Sequence, residues 1–224
     1  MMAISPDEGA TGRAIYLANV LNLDMGMFYK RRDFSRVVDG RNPIVAHEFL
    51  GSSVEGKDVI ILDDMISSGD SMLDVARQLK QRKAKRIFCA ATFGLFTNGL
   101  EKFDQAYEEG ILDAVLTTNL IYQTPELLER PYYINCDMSK YIALVIDTLN
   151  HDGSISSILN PIERIQNVVT KYKTAKKFKI LKNAAWKFPR IFIFYLTSFQ
   201  HVIVLFYDKQ FPLPSSPVLL SSDR

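Results

Sequence analysis

The sequence holds only two cysteines, Cys89 and Cys136, far apart and in apolar or mixed strand-like surroundings. That pattern excludes a disulfide framework and any cysteine-based metal spacing, and it makes a reducing, cytoplasmic compartment the simplest home. Charge of one sign is also lacking: 27 Lys and Arg stand against 25 Asp and Glu, a net of +2. Binding to nucleic acid by bulk attraction rests on a much stronger basic excess, so no nucleic-acid partner is expected. The N-terminus, Met-Met-Ala-Ile-Ser-Pro-Asp, has no basic segment followed by an apolar one, so no signal peptide is expected. No self-similarity recurs at the periods of roughly 20 to 50 residues that mark repeat architectures.

What is present begins with enough length, 224 residues, to bury a full core, which suits one α/β domain plus extra material. The most informative stretch is Val59 to Ser71, Val-Ile-Ile-Leu-Asp-Asp-Met-Ile-Ser-Ser-Gly-Asp-Ser. An apolar run of strand length ends in Asp63 and Asp64, passes through a small-residue turn and enters a helical pattern near Met72. Open α/β sheets bind ligands just beyond the carboxyl ends of their strands, and a helix starting there aims its free amides at the ligand. Ser67, Ser68, Gly69 and Ser71 let the backbone close on a phosphate and add hydroxyl donors. Asp63 and Asp64 repel phosphate but accept hydrogen bonds from a diol such as the ribose 2- and 3-hydroxyls. The unit therefore reads as a sugar-phosphate cradle.

Two more junctions have related chemistry. Ser5 to Arg13 follows a strand stub, Met1 to Ile4, and leads into a helix from Ala14 to Leu23. It is either a second anion site or a turn in which Asp7 or Thr11 caps the helix. Met25 to Tyr29 reads as a short strand with Lys30-Arg31-Arg32 at its end, placed to meet phosphate oxygens before a loop from Asp33 to Pro43. Further strands are expected at Ile44 to Phe49, Asp58 to Leu62, Arg86 to Thr92, Ala114 to Thr118 and Tyr132 to Cys136. Helices are expected at Ser71 to Lys83, Leu100 to Glu109, Met138 to Leu149 and from Pro161 to about Tyr172. This alternation predicts a doubly wound, mostly parallel sheet.

After Tyr172 the composition changes. Eight basic residues between Lys171 and Arg190 have no acid among them, and Ile191 to Tyr207 is almost wholly aliphatic and aromatic. The run is short, polar in its middle and rich in β-branched residues. It reads as a pair of strands or a segment foreign to the domain rather than a membrane span. The segment from Pro212 onward, rich in Pro and Ser, is expected to be disordered. The expected division is a domain over 1–175 and a basic, then apolar tail over 176–224.

Three of these motifs, in this order and spacing, resemble the ribose-phosphate pyrophosphokinases, the phosphoribosyl pyrophosphate synthetases. They are Ser5-Pro-Asp-Glu-Gly-Ala with Arg13-Ala14, Tyr29-Lys-Arg-Arg32, and Val59 to Ser71. The resemblance runs from about Ser5 to about Tyr172, includes Thr92 to Gly99, and looks closest to the longer bacterial branch. It implies a type I phosphoribosyltransferase-like fold and transfer of diphosphate from ATP to the anomeric hydroxyl of ribose 5-phosphate, with Mg2+. By resemblance, Asp63 and Asp64 hold the ribose hydroxyls, and Ser67, Ser68, Gly69 and Ser71 the 5-phosphate. Asp7 helps position magnesium, and Lys30 and Arg32 lie on a mobile loop that closes over the nucleotide phosphates.

The sequence departs from that family twice. Ser67 and Asp70 stand where the commoner pattern has Asp and Gly, and Asp70 is tolerable if its side chain turns outward. The family is built from two similar halves, and this chain starts just before the second half's loop. The first half, with much of the adenine pocket and a histidine near the metal, is expected to be absent. His47 and His151 fall outside the matching motifs and are not recruited. The implied partners are ribose 5-phosphate, ATP, and further copies of the chain or the missing half. Two alternatives remain: a truncated or regulatory homologue that makes no product, and a phosphoribosyltransferase using the same cradle. The second is disfavoured by Lys30-Arg31-Arg32 and by the long match through Asn160.

Overall fold

The apolar runs of the sequence become the strands of one seven-stranded sheet. A computed structural model describes residues 1–32, 44–180, 196–198 and 201–203. In chain order these are β1 Met2–Ser5, α1 Thr11–Leu21, β2 Asp24–Arg32, β3 Ile44–Gly51, β4 Asp58–Ile66, α2 Asp70–Gln81, β5 Arg86–Gly94 and α3 Glu101–Glu108. There follow β6 Ala114–Thr118, α4 Pro125–Glu129, β7 Tyr133–Cys136, α5 Ser139–Asn150, α6 Ser156–Leu159 and α7 Ile162–Ile180. The strand order is β3-β2-β1-β4-β5-β6-β7, parallel throughout except for the antiparallel pair β2 and β3 at one edge. The expected α/β sheet is present.

Both faces of the sheet are covered, which is why its strands read as continuous apolar runs. Successive side chains of a strand point to opposite faces. Val59 and Ile61 of β4 join Met2, Ile4, Ile87 and Cys89 against α2 and α3. Ile60 and Leu62 join Ala3, Ala90 and Leu116 against α1, α5 and Ile165 of α7. The helical stripe Met72, Val75, Ala76 and Leu79 is buried as its spacing predicts. Cys89 and Cys136 are buried free thiols, both pushed up in pKa by burial.

Several boundaries differ from the sequence reading, among them the end of α7 at Ile180 rather than near Tyr172. Lys30, Arg31 and Arg32 do not follow a strand but continue it, because β3 pairs alongside them, Lys30 with His47, Arg31 with Ala46 and Arg32 with Ile44. Likewise β4 runs through Asp63 and Asp64 to Ile66, held by β5 through Asp63 with Ala91 and Met65 with Phe93. Ladder bonds supply partners for backbone groups whatever the side chains carry, so charge alone does not end a strand. The short helices α4 and α6 are too brief to show a period in sequence, although Thr124 caps α4 by accepting from the Leu127 amide at 3.3 Å.

The expected loop over 33–43 lies outside the described residues, as do most of the apolar run and the terminal Pro and Ser segment. Within that run, β8 Leu196–Ser198 and β9 His201–Ile203 pair antiparallel. No helix among the described residues is long and apolar enough to cross a membrane.

Ile61 is fully buried in the central strand β4. Ile61→Ala is expected to cost about 3 kcal/mol of stability, from lost transfer energy plus a residual cavity. Urea denaturation of both proteins measures it.

Candidate functional site

Strands β1 and β4 are neighbours in the middle of the sheet, yet the chain leaves β1 towards β2 and leaves β4 towards β5. Their following loops therefore part and open a crevice at the carboxyl ends, the topological switch point of an open α/β sheet. The buried polar residues among those described, Ser5, Thr92, Thr117 and Thr118, all lie in the carboxyl-terminal parts of β1, β5 and β6. Polarity is thus concentrated at that end of the sheet.

The loop after β1 is shaped by Asp7. Its carbonyl accepts from the Ser5 hydroxyl at 2.6 Å and from the Thr11 hydroxyl at 3.3 Å. Its carboxylate Oδ1 accepts from the Ala10 amide at 3.1 Å, one turn ahead of α1. That oxygen braces the turn, but the residue that opens α1 is Ala10, which has no side-chain cap, so neither Asp7 nor Thr11 is the cap. Oδ2 makes no hydrogen bond among the described residues.

Across the crevice stand Asp63 and Asp64. Asp63 Oδ1 accepts from the Asp64 amide at 2.8 Å and Asp64 Oδ1 from the Met65 amide at 2.9 Å. Arg13, in the first turn of α1, reaches across to them. Its guanidinium lies 3.0 Å from Asp64 Oδ2 and 3.8 Å from Asp63 Oδ1, and its side chain is 16% exposed. The two acids are 24% and 42% exposed. Arg13 sides with Asp64, so burial governs Asp63. Burial raises the Asp63 pKa to about 6, and the neighbouring Asp64 and Asp7 charges push the same way.

The turn after β4 is tightly made. Gly69 has φ of 81°, the left-handed region, and a Cβ there would fall on the Phe103 ring. The first helical bond of α2 runs from the Leu73 amide to the Gly69 carbonyl at 2.9 Å. The amides of Ser71 and Met72 precede it, at the end where a helix has donors to offer. Ser67 and Ser71 are exposed and Ser68 is half-buried. The loop after β5 fastens the turn: the Thr97 amide donates to the Ser67 carbonyl at 3.0 Å, and the Leu95 amide to the Ile66 carbonyl at 2.8 Å. Asp70 turns its carboxylate to Lys102 of α3, whose ammonium lies 2.5 Å away and holds the carboxyl below the usual range.

Asp7, on the loop after β1, thus lies at the same end of the sheet as Asp63 and Asp64 at the end of β4, Ser67, Ser68 and Gly69 in the turn after it, and Ser71 in the first turn of α2. Lys30 and Arg32 sit on β2, on the far side of β1 from β4. Met27 is in register with Ser5, so Lys30 continues three residues past the end of β1. Sequence reasoning assigned no role to Arg13 or Lys102, because each acts across a gap between elements that no local window contains. His151 is an exposed helix-end residue whose ring meets the Asp147 carbonyl at 2.8 Å, away from these loops. Magnesium keeps several waters and takes one or two carboxylates plus substrate phosphates. The uncommitted oxygen of Asp7 beside the acid pair suits that demand, although no group of three His, Cys, Asp or Glu among the described residues is arranged around a metal.

Residues 2–130 match the phosphoribosyl transferase domain family. The chain is 31% identical over 160 residues to the ribose-phosphate pyrophosphokinase of Vibrio cholerae, covering 71% of this chain and 48% of that protein. With the ribose-phosphate pyrophosphokinase of Mycoplasma pneumoniae it shares 30% over 159 residues, 70% of this chain and 46% of that one. Its fold resembles the crystal structure of phosphoribosylpyrophosphate synthetase from Mycobacterium smegmatis, with a TM-score of 0.57 and 23% identity over 68% of this chain and 46% of that one. The chain spans about half the length of the curated relatives it matches.

Because the folded Asp63 binds its proton more tightly than the ordinary value of 3.8, stability falls as pH rises from about 4 to about 6 and stays lower above that. Asp63→Asn removes this penalty. It is expected to raise stability at pH 7.5 by on the order of 2 kcal/mol, with little gain at pH 4. Denaturation midpoints across that range test the sign.

Proposed function

Because the chain belongs to the phosphoribosyl transferase domain family, whose members handle phosphoribosyl groups, we propose that it is the ribose 5-phosphate-binding part of a ribose-phosphate diphosphokinase. One observation carries this reading. The acid pair and the small-residue turn lie on a single strand, turn and helix unit at the switch point, facing the Asp7 loop and Arg13. Ribose 5-phosphate places its 5-phosphate on the Ser67 to Ser71 turn, and its 2- and 3-hydroxyls donate to Asp63 and Asp64. The anomeric hydroxyl, so fixed, attacks the β-phosphorus of ATP. A new oxygen–phosphorus bond forms, the bond from that phosphorus to the oxygen bridging to the α-phosphorus breaks, and AMP leaves.

Such a transfer needs alignment and stabilisation of oxygen charge more than covalent help from the protein. Lys30 and Arg32 supply cations on the β2 side, where the polyphosphate would extend from a sugar held at β4. Magnesium, held through Asp7 and the substrate phosphates, would neutralise phosphate charge when bound. Arg13 keeps α1 and the end of β4 at a fixed separation and holds Asp64 in place as an acceptor. The adenine contacts we assign to a further copy of the chain or to a second half, in keeping with the half-length match to the relatives.

A second reading is a half-site that binds ribose 5-phosphate without turnover, since the acid pair and the small-residue turn lie together on one strand, turn and helix unit. A coupled assay of AMP release, run beside calorimetric titration with ribose 5-phosphate, separates them. AMP release supports the diphosphokinase, binding without release supports the half-site, and absence of both release and binding overturns the cradle. In a chain that turns over, Lys30→Ala is expected to lower AMP release by about a hundredfold or more while ribose 5-phosphate affinity survives. Unchanged release removes Lys30 from the catalytic residues.

A further inference from the structure

Asp70 and Lys102 each pose an electrostatic problem that the other solves. Asp70 opens α2 and suits the positive end of that helix, yet it brings a carboxylate to the turn proposed to take a phosphate dianion. Lys102 lies in the first turn of α3, where the helix dipole disfavours a cation. The two meet at 2.5 Å.

Both side chains are about half exposed, 51% for Lys102 and 55% for Asp70, and an isolated pair so placed would count for little. Here the elements that carry them are locked together. Phe103, the residue after Lys102, is fully buried beneath Gly69, the residue before Asp70, and leaves no room there for a Cβ. Phe96 packs edge-on against the Phe103 ring at 5.2 Å, and the Thr97 amide holds the Ser67 carbonyl. The start of α3 is therefore fixed against the turn, and Lys102 is delivered to Asp70 by packing rather than by chance.

We infer that Lys102 is a positioning residue of the phosphate turn: it compensates Asp70 so that the Ser67 to Ser71 loop accepts a phosphate dianion. This rests on the cradle reading above. It also explains how a carboxylate is tolerated inside a phosphate loop, since the compensating cation comes from a neighbouring helix rather than from the loop itself.

Calorimetric titration of ribose 5-phosphate and of inorganic phosphate at pH 7.5 tests it on wild type, K102A, K102R, D70N and D70N/K102A, with thermal midpoints to verify folding. K102A is expected to weaken both ligands about tenfold, the scale of one uncompensated nearby charge. K102R keeps wild-type affinity, D70N binds at least as well as wild type, and D70N/K102A returns to within about threefold of wild type. A merely structural lysine would not be rescued by removing the acid as well. If wild type binds ribose 5-phosphate but K102A matches it, or if D70N/K102A is as weak as K102A, this inference is overturned and the cradle stands. If wild type binds neither ligand, the cradle reading itself falls and the role of Lys102 with it.

Discussion

Two adjacent carboxylates at the mouth of a crevice, one with only 24% of its side chain in water, require donors close by. Taking such a charge out of water costs several kcal/mol unless it is paired and hydrogen-bonded. The strand supplies part of what is needed through the amides of Asp64 and Met65. Arg13 supplies the rest from the first turn of α1, and that choice ties the site together, because one guanidinium then spans the gap between α1 and the end of β4. The compensation is unequal. Arg13 is nearer Asp64, so Asp63 retains a raised affinity for protons, and the two acids meet a ligand as an ion-paired acceptor beside one governed by burial.

The sheet was legible in the sequence because both its faces are buried, so Val59 to Leu62 and Arg86 to Thr92 stand out as apolar runs. Where the reading fell short, the missing information was long-range. Nothing near Asp63 says that Ala91 will pair beside it, and nothing near Lys30 says that His47 will. The acid pair and the small-residue turn could be found because motif and geometry coincide on one continuous segment. Arg13 and Lys102 could not be given roles in the same way. Each lies on a helix whose own pattern is unremarkable, and each finds its partner only when separate elements are packed.

The family assignment and the site geometry support one another without saying the same thing. Family membership identifies a phosphoribosyl transferase domain with a type I phosphoribosyltransferase-like sheet. The geometry adds a polarity to that sheet. Acidic groups converge at β1 and β4, while the basic residues rise on β2, one strand beyond β1. Strands stand about 4.8 Å apart, so roughly 10 Å separates the β2 and β4 backbones. The proposed placement, a sugar at β4 with a polyphosphate reaching towards β2, would span that separation.

The position of β1 ties the site to the order in which the chain assembles. β1 comes first in sequence but lies in the middle of the sheet, with Met2 in register with both Asp24 and Val59. Its β2 side can be satisfied early, but its other side stays open until β4 arrives, a contact of high sequence separation that pays its loop-closure entropy late. The crevice between β1 and β4, and with it the reach of Arg13 to the acids, comes into being only at that step. A partly assembled chain therefore has no site to saturate, and a ligand held there stabilises the closed sheet by mass action.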